Sequence, residues 1–276
     1  MEKPKARLIK TNDGTPTIYF EDFNEAMHTS DGAYSESLIK HITPSGLVSS
    51  SKGTLRILDV GFGMGYNILA LLHELEQREK KPSLEIVSFE WEPWYGHLLR
   101  EVNFGDDRDR LYDLVCTAFE EGSASKENVA IQVLSGDGRD NVKELTGSFD
   151  AVFQDPFSPA KNPELWTLEF FRNLYDLMDD EARLTTYSSA PQVRGAMVEA
   201  GFFIQRAPSM GIKREGTIAT KKENSSSFDA AFINELRENV KSTPYRDENG
   251  NKNREDILQE RIEEMARKRA ERKEIS

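Results

Sequence analysis

The sequence predicts an α/β fold built on a mostly parallel β-sheet with helices on both of its faces. Over residues 55–222, apolar runs of strand length alternate with segments of helical spacing. Such alternation is typical of βαβ units, in which each crossover helix covers one face of the sheet. The last two strand-like runs are joined by a short loop, which indicates an antiparallel pair at one edge. A sheet of this kind binds ligands beyond the carboxyl ends of its strands, so we expect the functional residues there.

The predicted elements follow one another along the chain with short connections. A strand of an N-terminal hairpin is predicted at 15–20 and a short helix at 33–42. Strands of the main sheet are predicted at 55–60, 84–90, 130–137, 149–155, 183–188, 202–209 and 217–222. Helices between them are predicted at 66–77, 94–103, 138–145, 166–177 and 191–200, the last with proline at its first position.

Three regions differ in composition. Residues 1–50 are predicted as an irregular N-terminal extension, residues 51–222 as the α/β domain and residues 223–276 as a helical arm. The arm begins with a serine-rich joint, and its last helix is highly charged with little apolar face. We expect this charged helix to lie on the surface.

Composition and charge exclude several classes of protein. Mean hydropathy is −0.62, and no apolar run approaches the roughly 18 residues that span a bilayer. The first residues lack the apolar region of a signal peptide, so we expect a cytoplasmic protein that does not bind membranes. A single cysteine, Cys116, cannot form a disulfide framework, and with only four histidines we expect no metal site. The net charge of −12 argues against non-specific coating of nucleic acid but allows a local basic patch.

A glycine-rich loop follows the first strand of the α/β domain. It reads DVGFGMGYN from Asp59 to Asn67, with the pattern D-x-G-x-G-x-G. Glycines let the backbone turn sharply and approach a ligand, and the following helix offers free N–H groups. A dinucleotide fingerprint needs a glycine where this chain has Tyr66. The early Gly65 and the leading Asp59 instead resemble the loop of Rossmann-type methyltransferases that bind S-adenosylmethionine, a tight strand–helix turn being the alternative.

Three carboxylates follow the ends of three later strands. Glu90 lies where nucleotide-binding sheets place an acid that accepts both ribose hydroxyls, a solvated strand end being the alternative. Asp137, in SGDGRD, is at the position where methyltransferases hold the adenine amino group, a helix cap being the alternative. Asp155 begins DPFSPAKNPELW, in which three prolines precede a tryptophan. Prolines reduce the entropy lost when a site forms, although a turn-capping aspartate would also fit this position.

The DPF sequence at 155–157 is similar to the D-P-P-Y motif of amino-group methyltransferases, without the second proline and with Phe for Tyr. An amine must direct its lone pair in line at the sulfonium methyl group. A carboxylate can accept the hydrogens of the amine, orient the nitrogen and favour loss of a proton. We therefore predict that Asp155 is catalytic and that Phe157 packs against a planar substrate base.

The longer pattern resembles one family. DPFSPAKNPELW, GFGMGYN, SFE and GIKRE occur in the order found in the methyltransferase domain of MnmC, the bacterial enzyme that completes 5-methylaminomethyl-uridine at the tRNA wobble position. With a matching segment from Gly14 to Glu36, the resemblance covers about residues 7–222. It implies the Rossmann-like class I fold of S-adenosylmethionine-dependent methyltransferases. It also implies methyl transfer to the primary amine of 5-aminomethyl-(2-thio)uridine in the anticodon region of tRNA.

The resemblance further implies roles for individual residues. Tyr34 and Glu36 would help to close the cofactor site. Lys161, Lys213 and Arg214 would lie near the tRNA entrance, ordinary surface charge being the alternative for these three. The implied cofactor-binding set is Asp59, Gly61, Phe62, Gly63, Gly65, Asn67, Glu90, Asp137, Gly138 and Asp155.

Two features depart from the bifunctional form of this family. No second dinucleotide loop follows residue 222, so we expect no FAD and no oxidase step. The chain instead resembles stand-alone members of the family, in which TPYRD, here at 243–247, and the charged arm recur. The substrate amine would then come from another enzyme. The acidic net charge requires a local basic surface, for which residues 261–273, with six basic and three acidic side chains, are a candidate. A solvated helix is the alternative for that stretch, and no obligate protein partner is evident.

Three other functions fit parts of the pattern. An aminopropyltransferase of the spermidine synthase type shares the sheet, a GDG-like turn and an aspartate after the fourth strand, but it usually needs more carboxylates and lacks the FSPAKNPELW continuation. A methyltransferase acting on a small-molecule amine is a broader alternative. A non-catalytic tRNA-binding or assembly module would require neither the glycine loop nor the placed acids, and failure to bind S-adenosylmethionine would favour it.

Overall fold

The computed structural model describes residues 5–21, 24–91, 94–209 and 215–275. Its strands are β1 (Ala6–Lys10), β2 (Pro16–Phe20), β3 (Glu25–Ala26), β4 (Thr54–Val60), β5 (Ser83–Glu90), β6 (Ser123–Lys126), β7 (Val129–Ser135), β8 (Phe149–Gln154), β9 (Met178–Thr186), β10 (Phe203–Arg206) and β11 (Thr217–Thr220). Its α-helices are α1 (Ala33–Ser37), α2 (Thr43–Ser45), α3 (Tyr66–Glu76), α4 (Gly96–Leu99), α5 (Arg108–Glu121), α6 (Gly138–Glu144), α7 (Leu168–Leu177), α8 (Pro191–Glu199), α9 (Ala230–Glu238) and α10 (Arg254–Ile275). A π-helical turn, Leu38–Ile42, joins α1 to α2, and 3₁₀ turns lie at Leu47–Ser49, Pro163–Trp166 and Val240–Ser242. Among these described helices, none combines the length and apolarity needed to cross a membrane.

Eight of the described strands form the central sheet, in the order β10-β11-β9-β8-β4-β5-β7-β6. Strands β9, β8, β4, β5 and β7 are parallel, whereas β11 and β10 form the predicted antiparallel pair at one edge. The predicted fold class is therefore confirmed. The chain order reverses between β8 and β4, so the space beyond their carboxyl ends is the topological switch point of the sheet, where open α/β sheets bind ligands.

Strand β4 contributes to both hydrophobic cores because its side chains alternate between the two faces of the sheet. Leu55 and Ile57 belong to the core that includes α3 and α5, while Leu58 and Val60 belong to the core that includes α7 and α8. Asp59 shares the face of Leu55 and Ile57 and is 0% exposed. The first acid of the glycine loop is thus placed inside the core rather than at the surface.

The N-terminal segment packs on the glycine-loop side of the sheet. Strands β1 and β2 form the predicted hairpin, and Ile18 and Phe20 of β2 are buried in the same core as α3. The hydroxyl of Tyr66, at the start of α3, donates a 2.6 Å hydrogen bond to the carbonyl oxygen of Pro16. The N-terminal extension therefore shares its core with the α/β domain, and the division of the chain at residue 50 stays a prediction.

The main difference from the predicted elements lies between β5 and β7. The predicted helix at 94–103 is reduced to α4, and the longer crossover helix is α5, for which the sequence analysis predicts no element. Leu111, Val115 and Phe119 lie four residues apart on α5 and are buried. This i, i+4 spacing fits one face of a helix with about 3.6 residues per turn and is the signal that could have identified the helix. Charged residues on its outer face dilute the apolar pattern.

The C-terminal arm is anchored to the domain by the first half of α10. Ile257 is completely buried. The guanidinium of Arg261 lies 5.1 Å from the centroid of the Tyr245 ring and donates a 2.7 Å hydrogen bond to the carbonyl oxygen of Thr243. Ile257 and the partly buried Leu258 therefore provide the apolar contact that the charged composition of the arm obscures, and the Arg261 guanidinium adds its contact with the Tyr245 ring.

Candidate active site

Asp155 and the glycine loop meet beyond the carboxyl ends of β8 and β4. The backbone N–H of Asp155 donates a 2.9 Å hydrogen bond to the carbonyl oxygen of Val60, at the end of the paired strands. Gly61 has a φ of 99°, and a Cβ atom there would lie 2.7 Å from the carbonyl oxygen of Asp155. Glycine is therefore needed at position 61 for its backbone conformation and for the close approach of Asp155.

Hydrogen bonds hold the two carbonyl groups that follow Asp155. The Tyr187 hydroxyl donates to the carbonyl oxygen of Pro156 at 2.9 Å, and Trp166 Nε1 donates to the carbonyl oxygen of Phe157 at 2.8 Å. Trp166 is completely buried. The tryptophan that ends DPFSPAKNPELW thus fixes the beginning of the same motif. Its indole and the Tyr187 hydroxyl give the carboxylate of Asp155 a rigid support.

Each carboxylate oxygen of Asp155 has a polar neighbour. Asn67 Nδ2 lies 3.0 Å from Oδ2, and His41 Nε2 lies 3.4 Å from Oδ1. The His41 side chain is 2% exposed and that of Asp155 is 26% exposed, so the carboxylate remains accessible to a ligand. Burial would raise the pKa of Asp155, but the charge of His41 and the hydrogen bonds from His41 and Asn67 lower it below its ordinary value. Asp155 is therefore ionised at neutral pH.

Asp59 is a second, fully buried acid that shares its neighbour Asn67 with Asp155. It accepts hydrogen bonds from Ser88 Oγ at 2.6 Å and from Asn67 Nδ2 at 3.2 Å. Burial raises the pKa of Asp59 to about 7, and the charge of Asp155 contributes to the rise, although the hydrogen bond from Ser88 opposes it. Asn67 thus bridges two acids whose surroundings move their pKa values in opposite directions. Such a separation is frequent in functional sites.

Two histidines of the N-terminal segment lie near Asp155, although neither is among the predicted site residues. His41 comes from the π-helical turn, and its Nδ1 lies 3.0 Å from Thr185 Oγ1. His28 Nδ1 lies 2.9 Å from Thr17 Oγ1. Burial lowers the pKa of His28, and the negative charge of Asp155 partly offsets that effect. No spacing in the sequence connects these histidines to the end of β8, so only the tertiary fold reveals them.

Glu90 connects the end of β5 to the glycine loop. Its Oε2 accepts hydrogen bonds from the Gly63 backbone N–H at 3.2 Å and from the Tyr95 hydroxyl at 2.6 Å. Its Oε1 accepts a 2.9 Å hydrogen bond from the backbone N–H of Trp91. The structure therefore brings two predicted cofactor residues, Glu90 and Gly63, into direct contact at one end of the sheet.

Asp137 caps helix α6 and binds an arginine. Its side chain accepts hydrogen bonds from the Arg139 backbone N–H at 2.9 Å and from the Arg139 guanidinium at 2.6 Å. Burial would raise the pKa of Asp137, but these hydrogen bonds and the charge of Arg139 lower it. A Cβ on Gly138 would lie 3.0 Å from Leu165 Cδ2, so glycine permits the close packing there. The helix cap is thus observed, and cofactor contact by Asp137 and Gly138 stays a prediction.

The glycine loop offers both space and an unpaired acceptor. A Cβ on Gly63 would have only Met27 Sδ within reach, at 4.0 Å. Among the residues that the structure describes, Asn67 Oδ1 is buried without a hydrogen-bond partner. An orphaned acceptor beside such a loop fits the amino group in the methionine part of S-adenosylmethionine. The described ranges contain no cluster of three His, Cys, Asp or Glu side chains that could hold a metal ion.

Three predicted site residues pack within the fold. Phe62 is 3% exposed, and its ring centroid lies 4.9 Å from that of Phe119. Gly65, with a φ of 70°, is the N-cap residue that precedes α3. The hydroxyl of the buried Tyr34 lies 2.8 Å from His73 Nδ1, about two turns along α3 from the glycine loop. Phe62 and Gly65 therefore shape the loop, and the structure places Tyr34 against α3 rather than beside Asp155.

The other predicted site residues lie in several environments. Phe157 is 52% exposed, and its ring centroid is 6.4 Å from that of Phe20, which leaves an aromatic face open. Glu36 accepts a 3.0 Å hydrogen bond from Thr29 Oγ1. Lys161 is exposed in the loop after β8. Two predicted residues lie outside the described residues: Lys213 and Arg214.

The chain is similar to several known proteins. A family model described as S-adenosyl-L-methionine-dependent methyltransferase matches residues 109–222. An uncharacterized protein of Methanocaldococcus jannaschii is 34% identical over 266 residues, which cover 93% of this chain and 71% of that protein. The crystal structure of MnmC2 from Aquifex aeolicus is 32% identical with a TM-score of 0.85, and the match covers 96% of this chain and 87% of that chain.

A longer relative adds a functional description. The tRNA 5-methylaminomethyl-2-thiouridine biosynthesis bifunctional protein MnmC of Azoarcus sp. is 29% identical over 221 residues, which cover 76% of this chain. This chain spans about a third of the length of the MnmC proteins that it matches, 34% in the Azoarcus case. The fold and the site define an S-adenosylmethionine-dependent methyltransferase. Within that class, the chain belongs to the MnmC-type family.

Proposed function

We propose that the protein transfers a methyl group from S-adenosylmethionine to the 5-aminomethyl group of the wobble uridine in the anticodon region of tRNA. The observation that carries this proposal is the rigid, ionised and partly exposed carboxylate of Asp155 next to the glycine loop. Similarity to MnmC2 and to proteins of 5-methylaminomethyl-2-thiouridine biosynthesis supports the choice of substrate.

Asp155 would bind the substrate through the hydrogens of its amine. An aliphatic amine with an ordinary pKa of about 10 is protonated at neutral pH, so an ionised carboxylate attracts it. The nitrogen would lose one proton to solvent before its lone pair is available, and methyl transfer would then leave a secondary ammonium group on the substrate and release S-adenosylhomocysteine. Because the pKa of Asp155 is lowered, this residue contributes mainly by holding the remaining N–H groups and orienting the lone pair. His41 and Asn67 keep the carboxylate in that orientation.

The remaining residues would hold the cofactor and the base. The open space at Gly63 would receive the methionine part, with Asn67 Oδ1 accepting from its amino group. Glu90 would accept from the ribose hydroxyls, Asp137 from the adenine amino group, and the exposed ring of Phe157 would stack on the uracil. The cofactor supplies a methyl group already activated by its sulfonium, so this chemistry requires neither a metal ion nor a flavin.

The direct test uses tRNA that carries 5-aminomethyl-uridine at the wobble position and S-adenosylmethionine with a labelled methyl group. Nucleoside mass spectrometry should then detect labelled 5-methylaminomethyl-uridine. The same tRNA with unmodified uridine is the control and should remain unlabelled. Label on small amines but not on tRNA would instead indicate a small-molecule methyltransferase. Transfer to a polyamine from the decarboxylated cofactor would indicate an aminopropyltransferase.

A further inference from the structure

A buried ion network connects the C-terminal segment to the proposed adenine-binding acid. Arg139 lies between two carboxylates, with Nη2 2.6 Å from Asp137 Oδ2 and Nη1 2.7 Å from Asp247 Oδ2. The same Nη1 donates a 2.7 Å hydrogen bond to the carbonyl oxygen of Lys252. The Asp247 side chain is 1% exposed and that of Arg139 is 13% exposed. Charged hydrogen bonds shielded in this way are stronger than those at the surface.

Asp247 is itself held rigidly. Its Oδ1 accepts hydrogen bonds from the backbone N–H groups of Asn251 at 3.1 Å and Lys252 at 3.2 Å. Its own N–H donates a 2.7 Å hydrogen bond to Glu169 Oε2, on helix α7. The hydrogen bond to Glu169 fixes the backbone of Asp247 to the domain, and those from Asn251 and Lys252 hold its carboxylate within its own loop. The ion pair with Arg139 extends that rigidity toward Asp137.

The two aspartates share the charge of one guanidinium. Asp137 receives three donors from Arg139, namely the backbone N–H, Nε and Nη2. About one of the roughly four acceptor positions of a carboxylate then remains for a ligand. Without Asp247, the whole charge of Arg139 would act on Asp137 and weaken it as an acceptor for an amino group. The guanidinium would also lose a contact that fixes the orientation of its plane.

We propose that Asp247 is a positioning residue for the adenine subsite and that it acts through Arg139 on Asp137. The proposal rests on the assignment of Asp137 to the adenine amino group within the proposed function. Asp247 lies 108 residues after Arg139 in the sequence, so the C-terminal segment controls cofactor affinity from a distant part of the chain.

The test compares two ligands that differ only at position 6 and the neighbouring N1 of the base. S-adenosylhomocysteine carries the 6-amino group, whereas S-inosylhomocysteine has a carbonyl oxygen there and a hydrogen on N1. Calorimetric titration of the full chain should show tighter binding of S-adenosylhomocysteine. Asp247→Asn should weaken that binding about tenfold, within the range of about 5- to 150-fold that is typical of coupled sites. The same variant should change binding of S-inosylhomocysteine little.

Arg246→Gln is the matched control. Arg246 anchors the same segment through Glu199 at 2.9 Å and Glu264 at 3.2 Å rather than through Arg139. Its loss should lower thermal stability without changing the ratio of the two affinities. Arg139→Lys keeps the positive charge but cannot bind both carboxylates, so it should reproduce the Asp247→Asn effect. If Asp247→Asn does not fold, Arg139→Lys tests the proposal by itself, and an unchanged ratio of the two affinities in that variant would overturn it.

Equal weakening of both ligands by Asp247→Asn, or no weakening of either, leaves the ratio of their affinities unchanged and would overturn the proposal. Asp137→Asn separates two kinds of failure. If that variant keeps the preference for S-adenosylhomocysteine, the assignment of Asp137 is wrong. If it loses the preference while Asp247→Asn keeps it, only the role of Asp247 is wrong. None of these measurements uses RNA, so they do not depend on the identity of the methyl acceptor.

Discussion

Replacing Asp59 with asparagine should remove the loss of folding stability that the buried Asp59 carboxyl group causes as the pH rises to neutral. Asp59 is fully buried, and its pKa is raised from 3.8 to about 7. A carboxyl group with a raised pKa holds its proton more tightly in the folded state. The free energy of unfolding therefore decreases as the pH rises from about 4 to about 7. At about 1.4 kcal/mol per pH unit, this decrease amounts to about 4 kcal/mol, which Asp59→Asn should abolish.

The assay is urea denaturation of both proteins, without cofactor, across this pH range. The difference in stability between Asp59→Asn and the parent should grow in favour of the variant as the pH rises. A constant offset of about 1 kcal/mol is expected, because asparagine cannot accept both hydrogen bonds from Asn67 and Ser88. Ser88→Ala is the control. It keeps the carboxyl group but removes a hydrogen bond that lowers the pKa of Asp59, so the decrease in stability should persist and extend to higher pH. Parallel pH curves for the parent and Asp59→Asn would refute the reasoning.

Two further variants test the support of Asp155. Gly61→Ala should abolish cofactor binding and methyl transfer, because its Cβ would meet the Asp155 carbonyl oxygen. Gly14→Ala is the control, because Gly14 has a φ of 80° but no atom within 4 Å of an added Cβ. It therefore shares only the backbone strain and should bind the cofactor normally in calorimetric titration. Equal loss in both variants would show that strain alone is responsible. His41→Leu removes a group that lowers the pKa of Asp155, so this pKa should rise in a carbon-13 NMR titration of the Asp155 carboxyl group. His41→Gln keeps a hydrogen-bond donor and should raise it less, and a pKa of Asp155 that is unchanged in His41→Leu would contradict this role of His41.

The parts of the site that sequence alone predicts lie at strand ends. Parallel strands bring their carboxyl ends to one edge of the sheet, so Asp59, Glu90 and Asp155 could be placed together from the order of strands. The contact between Glu90 and Gly63 and the hydrogen bond from Asp155 to Val60 follow from that arrangement. The fold class is predictable for the same reason, because it depends on a repeated local pattern.

The parts that sequence alone does not predict depend on long-range packing. His41 reaches Asp155 from a π-helical turn in the N-terminal segment, and Asp247 reaches Arg139 from the C-terminal segment. His41 belongs to no motif, and Asp247 ends the TPYRD stretch, whose sequence does not indicate that its acid pairs with Arg139. Asp137 illustrates a second limit. A helix cap and a ligand-binding acid have the same sequence signature, and only the structure shows that Asp137 also pairs with Arg139.

The most direct measurement compares Asp155→Asn with the parent protein in two assays. This substitution keeps the shape of the side chain and removes its charge. Binding of S-adenosylhomocysteine should change little, whereas single-turnover methyl transfer to the 5-aminomethyl tRNA should fall by about 10²- to 10⁴-fold. Methyl transfer at the parental rate in this variant would contradict the central claim that an ionised carboxylate at the end of β8 orients the amine.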